Sequence, residues 1–311
     1  MKSKTFIAWV LVAYCCVAIA TTGCRMRPRA ERSAKQSSEP ETAAQPNVPQ
    51  AELSISANNG EGDDLPVKEE IRRKFKLEPE THINVFNING NVTVETADTD
   101  TAEILVVRSA KKREDLDNYR KVRIEQGRDN RLIISVENDR KSLFSALGSL
   151  PEGRQRVVMK IPRKADFETH GISGNLTMGE TQGRLQLRNV NGQIKAARIS
   201  GVSQFADVNG GVEATFAPLN GKGIEAYDIN GNVDFHFEGE VNADLNAWDI
   251  NGRLNPDLPG VQARNEEQGR GRLKARIGAG GAQIRIGQVN GNVNLLKAEK
   301  AATTTAKAAS K

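Results

Sequence analysis

The residues best placed to do chemistry are three aspartates and two aromatics. Asp207, Asp228 and Asp249 recur every 21 residues, each two positions ahead of an Asn-Gly pair. Tyr227 and Trp248 directly precede the second and third of them. If this period stacks successive copies of one unit, the carboxylates form a column and the two rings meet on adjacent copies. Carboxylates about 5 Å apart repel, so solvent, a Lys or Arg partner, or a cation must compensate. A hard cation such as calcium takes six or more oxygens. A solvated column is therefore the simpler reading, and no metal is expected. Exposed paired aromatics suit a sugar or a peptide ligand. Stacking of the rings without any ligand is the competing reading, and both stay open at this stage.

Other chemistry has less support. His82, His170 and His236 lie far apart and form no His-x-x-x-His or His–carboxylate spacing, so they read as surface or edge histidines. The run Gly278 to Gly281 lacks the Lys-Ser/Thr ending and the following helix of a phosphate loop and reads as a turn. No acid/base carboxylate pair stands out. Basic residues of the stretch 108–131 are interleaved with Glu114, Asp115, Asp117, Glu125 and Asp129, which marks a solvated face rather than a nucleic-acid patch. Cys15, Cys16 and Cys24 are the only cysteines, so the body has no thiol for a nucleophile, a disulfide or a zinc site. The expectation is a protein that is not an enzyme and has no cofactor.

The elements that must position these residues follow from a repeat. The unit apolar-Asn-Gly-x-apolar occurs around Asn89, Asn191, Asn209, Asn230, Asn251 and Asn290, with a Ser variant at Ser173 and a partial copy at Leu219-Asn220-Gly221. From Ser173 to Asn251 the spacings are 18, 18, 21 and 21 residues. Asn-Gly supplies positive φ and predicts a tight turn at each copy. The flanks alternate with period two, as in Val233-x-Phe235-x-Phe237, which predicts short strands. A unit of about 20 residues cannot bury its own apolar face, but rungs stacked about 4.8 Å apart can. Asn191, Asn209, Asn230, Asn251 and Asn290 would then hydrogen-bond as a ladder. Ordinary hairpins of a sandwich are the alternative. The two related spacings favour an all-β fold, a single β-solenoid with about 18–21 residues per rung and an irregular first half. In that half, segments around Ile83, Ile104, Val122, Leu132 and Val157 read as strands, Ser109–Lys121 as a short polar helix or hairpin arm, and Arg140–Arg156 as a loop.

The N-terminus carries an export signal. Lys2 and Lys4 precede an apolar run of 15 residues, Phe6 to Ala20, short of the roughly 20 needed to span a membrane. Thr21-Thr22-Gly23-Cys24 resembles a lipobox, which implies a signal peptide over 1–23 and acylation of Cys24. Cleavage after Ala20, at an A-x-A site, and an uncleaved anchor are the alternatives. Residues 24–65 have the composition of a disordered tether, spanning on the order of 35 Å as a coil. The body runs over 66–297, and the Ala/Thr/Lys stretch 298–311 reads as a disordered tail.

The order of these features resembles the bacterial putative-adhesin domain family, a domain of unknown function. The resemblance covers about residues 75–297. It rests on the strand and Gly turn of Ile83 to Val94, the strand end Met159-Lys160-Ile161-Pro162, the successive rungs, the Gly-rich turn Ile277 to Gly281, and the closing rung Ile284 to Val293. It implies a β-solenoid, frequent export or lipid anchoring, and no established catalytic residues. The stretch Asn255 to Arg272 departs from a plain rung and is expected to protrude as a loop. The sequence thus points to a non-enzymatic cell-envelope protein, in the outer membrane if the cell is Gram-negative. It would be tied to the membrane by its lipid and would display a rigid surface for adhesion or protein–protein contact. The candidate ligand-binding residues are Tyr227, Trp248, Asp207, Asp228 and Asp249, facing a glycan or protein; no nucleic-acid partner is expected. The alternative is an envelope-stress or regulatory component that binds a membrane protein through an open sheet edge.

Overall fold

The computed structural model of the chain describes residues 65–118, 121–136, 153–265 and 271–298. The signal peptide, Cys24, all of the tether but Leu65, and all of the tail but Ala298 lie outside the described residues.

The described chain is all-β apart from one short helix. It opens with β1 (Val67–Lys76), β2 (His82–Ile88), β3 (Val92–Ala97), β4 (Thr101–Ala110) and α1 (Arg113–Asn118). Next come β5 (Val122–Gln126), β6 (Arg131–Val136) and β7 (Gly153–Pro162). The strands then come in pairs: β8 (Asp166–Ile172) with β9 (Leu176–Met178), β10 (Leu185–Val190) with β11 (Ile194–Ile199), β12 (Ser203–Val208) with β13 (Val212–Phe216). Then follow β14 (Ile224–Ile229) with β15 (Val233–Phe237), and β16 (Ala243–Ile250) with β17 (Leu254–Asp257). A hairpin of β18 (Val261–Asn265) and β19 (Leu273–Ile277) precedes the last pair, β20 (Ala282–Val289) and β21 (Val293–Lys297). The helix falls inside the predicted polar stretch. Much of the expected protruding loop is instead the strands β17 and β18. Of the expected loop over Arg140–Arg156, residues 153–156 open β7, and the rest lies outside the described residues.

The pairs sort into two large sheets. The first members run parallel in an 11-stranded sheet and the second members in a 10-stranded sheet. β8, β10, β12 and β14 pair in chain order, as do β9, β11, β13 and β15. Inward residues alternate with outward ones, so β15 buries Val233, Phe235 and Phe237 and leaves the residues between half-buried. These inward columns make one continuous core. Its centre is a packed run of rings: Phe235 meets Phe205 at 5.6 Å and Phe216 at 5.1 Å, and Phe216 stacks on Phe237 at 5.3 Å. Such contacts add to the gain from burying the rings.

Two findings revise the expected turn. In the full copies the Asn of Asn-Gly does not take positive φ, whereas Asn220 of the partial copy does, at 48°. The left-handed residue lies two positions earlier: Asn87, Gly171, Asn189, Asp207, Asp228, Asp249 and Gln288 have φ between 52 and 83°. There the alternation slips by one, as at Arg188 and Asn189, which both face outward between buried Leu187 and Val190, and the chain turns its corner. The glycine is needed for a different reason. A Cβ on Gly174, Gly192, Gly210, Gly231, Gly291 or Gly252 would lie 2.2–2.5 Å from the carbonyl oxygen of the equivalent glycine one rung back. The backbones approach too closely at this corner for any side chain.

The strand order also departs from the chain order. β20 pairs with β14 on one side and β16 on the other, and β21 lies between β15 and β17. The last pair in the sequence is therefore inserted between two earlier ones. The sheet edges are closed off. β1 pairs antiparallel with β4 at one end, and its edge carries Lys68, Arg72, Lys74 and Lys76. β17, at the other end of that sheet, contains Pro256, which lacks the N–H that a new strand would need. The second sheet ends in the β5–β6 and β18–β19 hairpins. Arg108, nearly buried, pins α1 to β4 by donating to the Leu116 carbonyl at 2.5 Å while pairing with Glu69 at 2.6 Å. Along the C-terminal ends of strands in the ten-stranded sheet an alternating charge row runs Asp98, Arg163, Glu180, Arg198, Glu238, with gaps of 3.1, 3.8, 2.7 and 3.0 Å. Hydrogen bonds donated to Glu180 and then to Glu238 raise the Arg198 pKa above its usual value.

The close approach of the corner glycines can be measured by substitution. Gly231→Ala should lower stability by about 1–3 kcal/mol. Gly211→Ala, where a Cβ would meet nothing nearer than 3.5 Å, should cost only a few tenths on the same overpacking scale. Urea midpoints of the two variants make the comparison. Separately, a chain ending at Gly281 loses six buried apolar residues of β20 and β21, on the order of 10 kcal/mol of burial. Limited proteolysis should then cut it readily between Glu238 and Gly281 while the part before Phe237 stays protected. Equal resistance of both parts would contradict the inserted arrangement.

Candidate functional site

The corner between the two sheets carries three outward columns in register across seven rungs. The first is Phe86, His170, Arg188, Ala206, Tyr227, Gly287 and Trp248. The second is the left-handed series, in spatial order Asn87, Gly171, Asn189, Asp207, Asp228, Gln288 and Asp249. The third is Asn89, Ser173, Asn191, Asn209, Asn230, Asn290 and Asn251. The pleat fixes the first column, the slip at the corner exposes the second, and the glycine contact holds the third at one height per rung.

The third column is hydrogen-bonded along much of its length. Asn209 donates from Nδ2 to Oδ1 of Asn191, Asn230 to Asn209, Asn290 to Asn230 and Asn251 to Asn290, each at 3.0 Å. A parallel rail runs two residues on. Oδ1 of Asn91, Asn175, Asn232 and Asn292 each accepts a backbone N–H from the next rung at 2.9 Å. Each such bond contributes roughly 0.5–1.5 kcal/mol where solvent competes little. These exposed bonds serve register more than stability.

The sequence-predicted residues are distributed along these columns. Asp207 and Asp228 are direct neighbours, both exposed, so solvent screens their repulsion. Asp249 is separated from Asp228 by Gln288, and it pairs with Arg272 at 3.2 Å. The expected contact between Tyr227 and Trp248 is not formed, because β20 lies between their strands. Gly287 occupies the intervening position, and the Trp248 indole lies across it: a Cβ there would sit 2.0 Å from Cε2. The histidines stay apart. His82 faces Asp166 at 3.3 Å, His170 lies 3.0 Å from the Asn189 amide, and His236 stands opposite Thr215 in the other sheet. Among the described residues no three His, Cys, Asp or Glu side chains gather as a metal-ligand set.

Sequence reasoning missed Asn87, Gly171, Asn189 and Gln288 as members of the aspartate column. Their signal is residue type: Asn, Asp and Gly are the residues that adopt left-handed φ at least cost. The aspartates thus have a backbone reason to be where they are. Polar hollows flank the columns. One of about 410 Å³ is bordered by Asn87, Gly171, Ser173, Asn189, Asn191 and Asp207. Another of about 350 Å³ lies by His82, Asn84, Arg131, Asp166, Glu168 and Arg184. The strip as a whole offers paired donors and acceptors at fixed spacing, with aromatic surface at Phe86, Tyr227 and Trp248.

No family model matches the chain, and no curated protein matches it by sequence. Solved structures similar to it include a putative cell adhesion protein from Clostridium sporogenes, at 13% identity and TM-score 0.35, covering 74% of this chain and 100% of that one. A putative adhesin from Bacteroides fragilis follows at 12% identity and TM-score 0.25, covering 75% and 99%. A putative lipid binding protein from Parabacteroides distasonis stands at 10% and 0.24, covering 74% and 97%. Likenesses this distant transfer no function, so the functional reading rests on the corner strip.

The backbone reason for the aspartates can be tested. Asp228→Asn keeps a residue tolerant of left-handed φ and should leave the urea midpoint unchanged or slightly higher. Asp228→Ala should cost about 1 kcal/mol. Equal stability of the two variants would remove the conformational explanation.

Proposed function

We propose that this chain is an exported, lipid-anchored display protein that binds a glycan or protein ligand along its corner strip and performs no catalysis. Acylated Cys24 would hold it at the membrane and the tether, residues 24–65, would act as the stalk. The two sheets are read as successive faces of one β-solenoid, with rungs of 18 and 21 residues. The parallel pairing of β8 through β15 at those intervals supports this. The observation that carries the function is the strip itself. Seven rungs hold carboxamides, exposed carboxylates and half-buried aromatic rings at fixed height, preorganised by backbone contacts rather than by side-chain packing. A rigid array loses little entropy on binding, which is how modest contacts yield affinity. The carboxylates stand side by side in solvent rather than across a cleft, an arrangement suited to accepting hydrogen bonds and not to shuttling a proton between two partners.

The alternative, a regulatory component that captures a membrane protein by adding a strand to an open edge, is less well supported. The edges carry Pro256, a lysine- and arginine-rich strand and the five-residue strands β5 and β18, features that oppose strand addition.

Two measurements check the proposal. On a glycan array, Trp248→Ala should weaken binding about tenfold, in line with the loss of one buried aromatic contact. Capture of a membrane partner without any glycan signal would support the alternative, and release of sugar from a polysaccharide would overturn the non-catalytic reading. Mass spectrometry of the mature N-terminus should find acylated Cys24; an unmodified start at Thr21 would sink the lipid anchor.

A further inference from the structure

We propose that the hollow at the rung formed by β8 and β9 binds a single neutral sugar ring. The inference rests on the display reading above and gives it a place and a ligand class. Two of the three corner columns are interrupted at this rung and at no other described rung from β2 onward. In the left-handed column every other position carries a side chain, Asn, Asp or Gln, but β8 contributes Gly171. In the carboxamide column every other position is Asn, but this rung contributes Ser173. The two short residues leave the hollow of about 410 Å³, within the roughly 300–1,000 Å³ common to small-ligand sites.

The interruption also leaves hydrogen-bonding capacity unused. Asn191 accepts from Asn209 but has no Asn on the rung before it to donate to. Its Nδ2 hydrogens face the hollow without a partner among the described residues. Asn89, on the far side, turns away to the Gly153 carbonyl at 3.4 Å. The Ser173 hydroxyl, the Asn87 carboxamide and the Asp207 carboxylate likewise have no side-chain hydrogen bond among the described residues, and all three border the hollow. His170 approaches the Asn189 amide at 3.0 Å, and Phe86 lies beside His170 in the same column.

This set of groups selects among ligands. A carboxamide presents a donor and an acceptor in one plane, matching adjacent hydroxyls that both give and take hydrogen bonds. A carboxylate accepts from two hydroxyls at once. The Asp207 charge disfavours an acidic sugar, and Arg188, whose guanidinium donates to Gln204 at 2.9 Å, does not border the hollow. An extended peptide would bind by pairing with a free strand edge. Here β8 already has β2 on one side and β10 on the other.

The test uses the full chain and methyl glycosides of glucose, galactose, mannose, N-acetylglucosamine and fucose, screened by saturation-transfer NMR and then titrated. At least one should bind with a Kd of about 1–10 mM, the range for so small a ligand. The double variant Gly171→Asn, Ser173→Asn completes both columns with residues that the other rungs already use. A Cβ added at Gly171 would meet nothing nearer than the movable Asn87 Oδ1, at 3.0 Å. The variant should melt as the native protein does and bind at least tenfold more weakly. Asp207→Asn, which preserves a residue tolerant of left-handed φ, should weaken binding threefold to tenfold, and with Ser173→Asn it carries the test if the double variant misfolds. Absence of binding by every glycoside, or undiminished binding by the completed columns, overturns the proposal. If the completed columns leave glycan-array binding intact while Trp248→Ala abolishes it, the hollow fails and the display reading stands.

Discussion

Everything at the corner depends on one close approach. The carbonyl oxygen of one glycine sits where the Cβ of the next would be, at 2.2–2.5 Å, and this sets how near successive rungs can come. With the backbones at that distance, strands on both sides fall into parallel register. The Asn carboxamides then reach one another at 3.0 Å. The left-handed residue two positions earlier gives the chain its bend into that contact. Core packing supplies most of the stability, as it must for any fold. The glycine contact decides which residues face outward, and so decides what the surface can present.

The same constraint explains why the aspartates are a poor guide to chemistry. A repeated Asp in an Asp-x-Asn-Gly unit invites a catalytic or metal-binding reading. Its neighbours in space are Asn, Gly and Gln, and what they share is tolerance of a backbone conformation. Charge at this position is permitted rather than required. The positions that do break the pattern, Gly171 and Ser173, are uncharged, and Ser173 stands in the sequence only as a variant of the repeat. A site made by leaving side chains out is invisible to a search for reactive ones.

The periodic features could be read from the amino acids because they are local. Asn-Gly spacing located the carboxamide column, and period-two alternation located β2, β4, β5, β6 and β7 of the irregular first half, though not β1. Two things escaped. Positive φ was assigned to the Asn-Gly pair, since that dipeptide is a common hairpin turn, whereas here the chain bends at residue 228 and its equivalents. Neighbour order also escaped. A repeat says that its copies stack, but identical motifs at Asn251 and Asn290 do not say which copy stands next to Asn230. Gly287 held the clue, because only a residue without a side chain can lie beneath the Trp248 indole.

The inserted last pair of strands has a consequence for how the molecule comes into being. Ribosomes make the chain from its N-terminus, and most stacked-repeat folds can grow rung by rung as each unit emerges. Here the chain order of neighbours breaks after β15. The segment 243–277 has no finished neighbour to rest on until residues 282–297 have been made. A chain cut short by even one rung is left with a vacancy in its middle, and its incompleteness shows wherever proteases patrol. Assembly thereby inspects its own ending: the molecule is closed by its final strands, as an arch is closed by a keystone set between courses already raised.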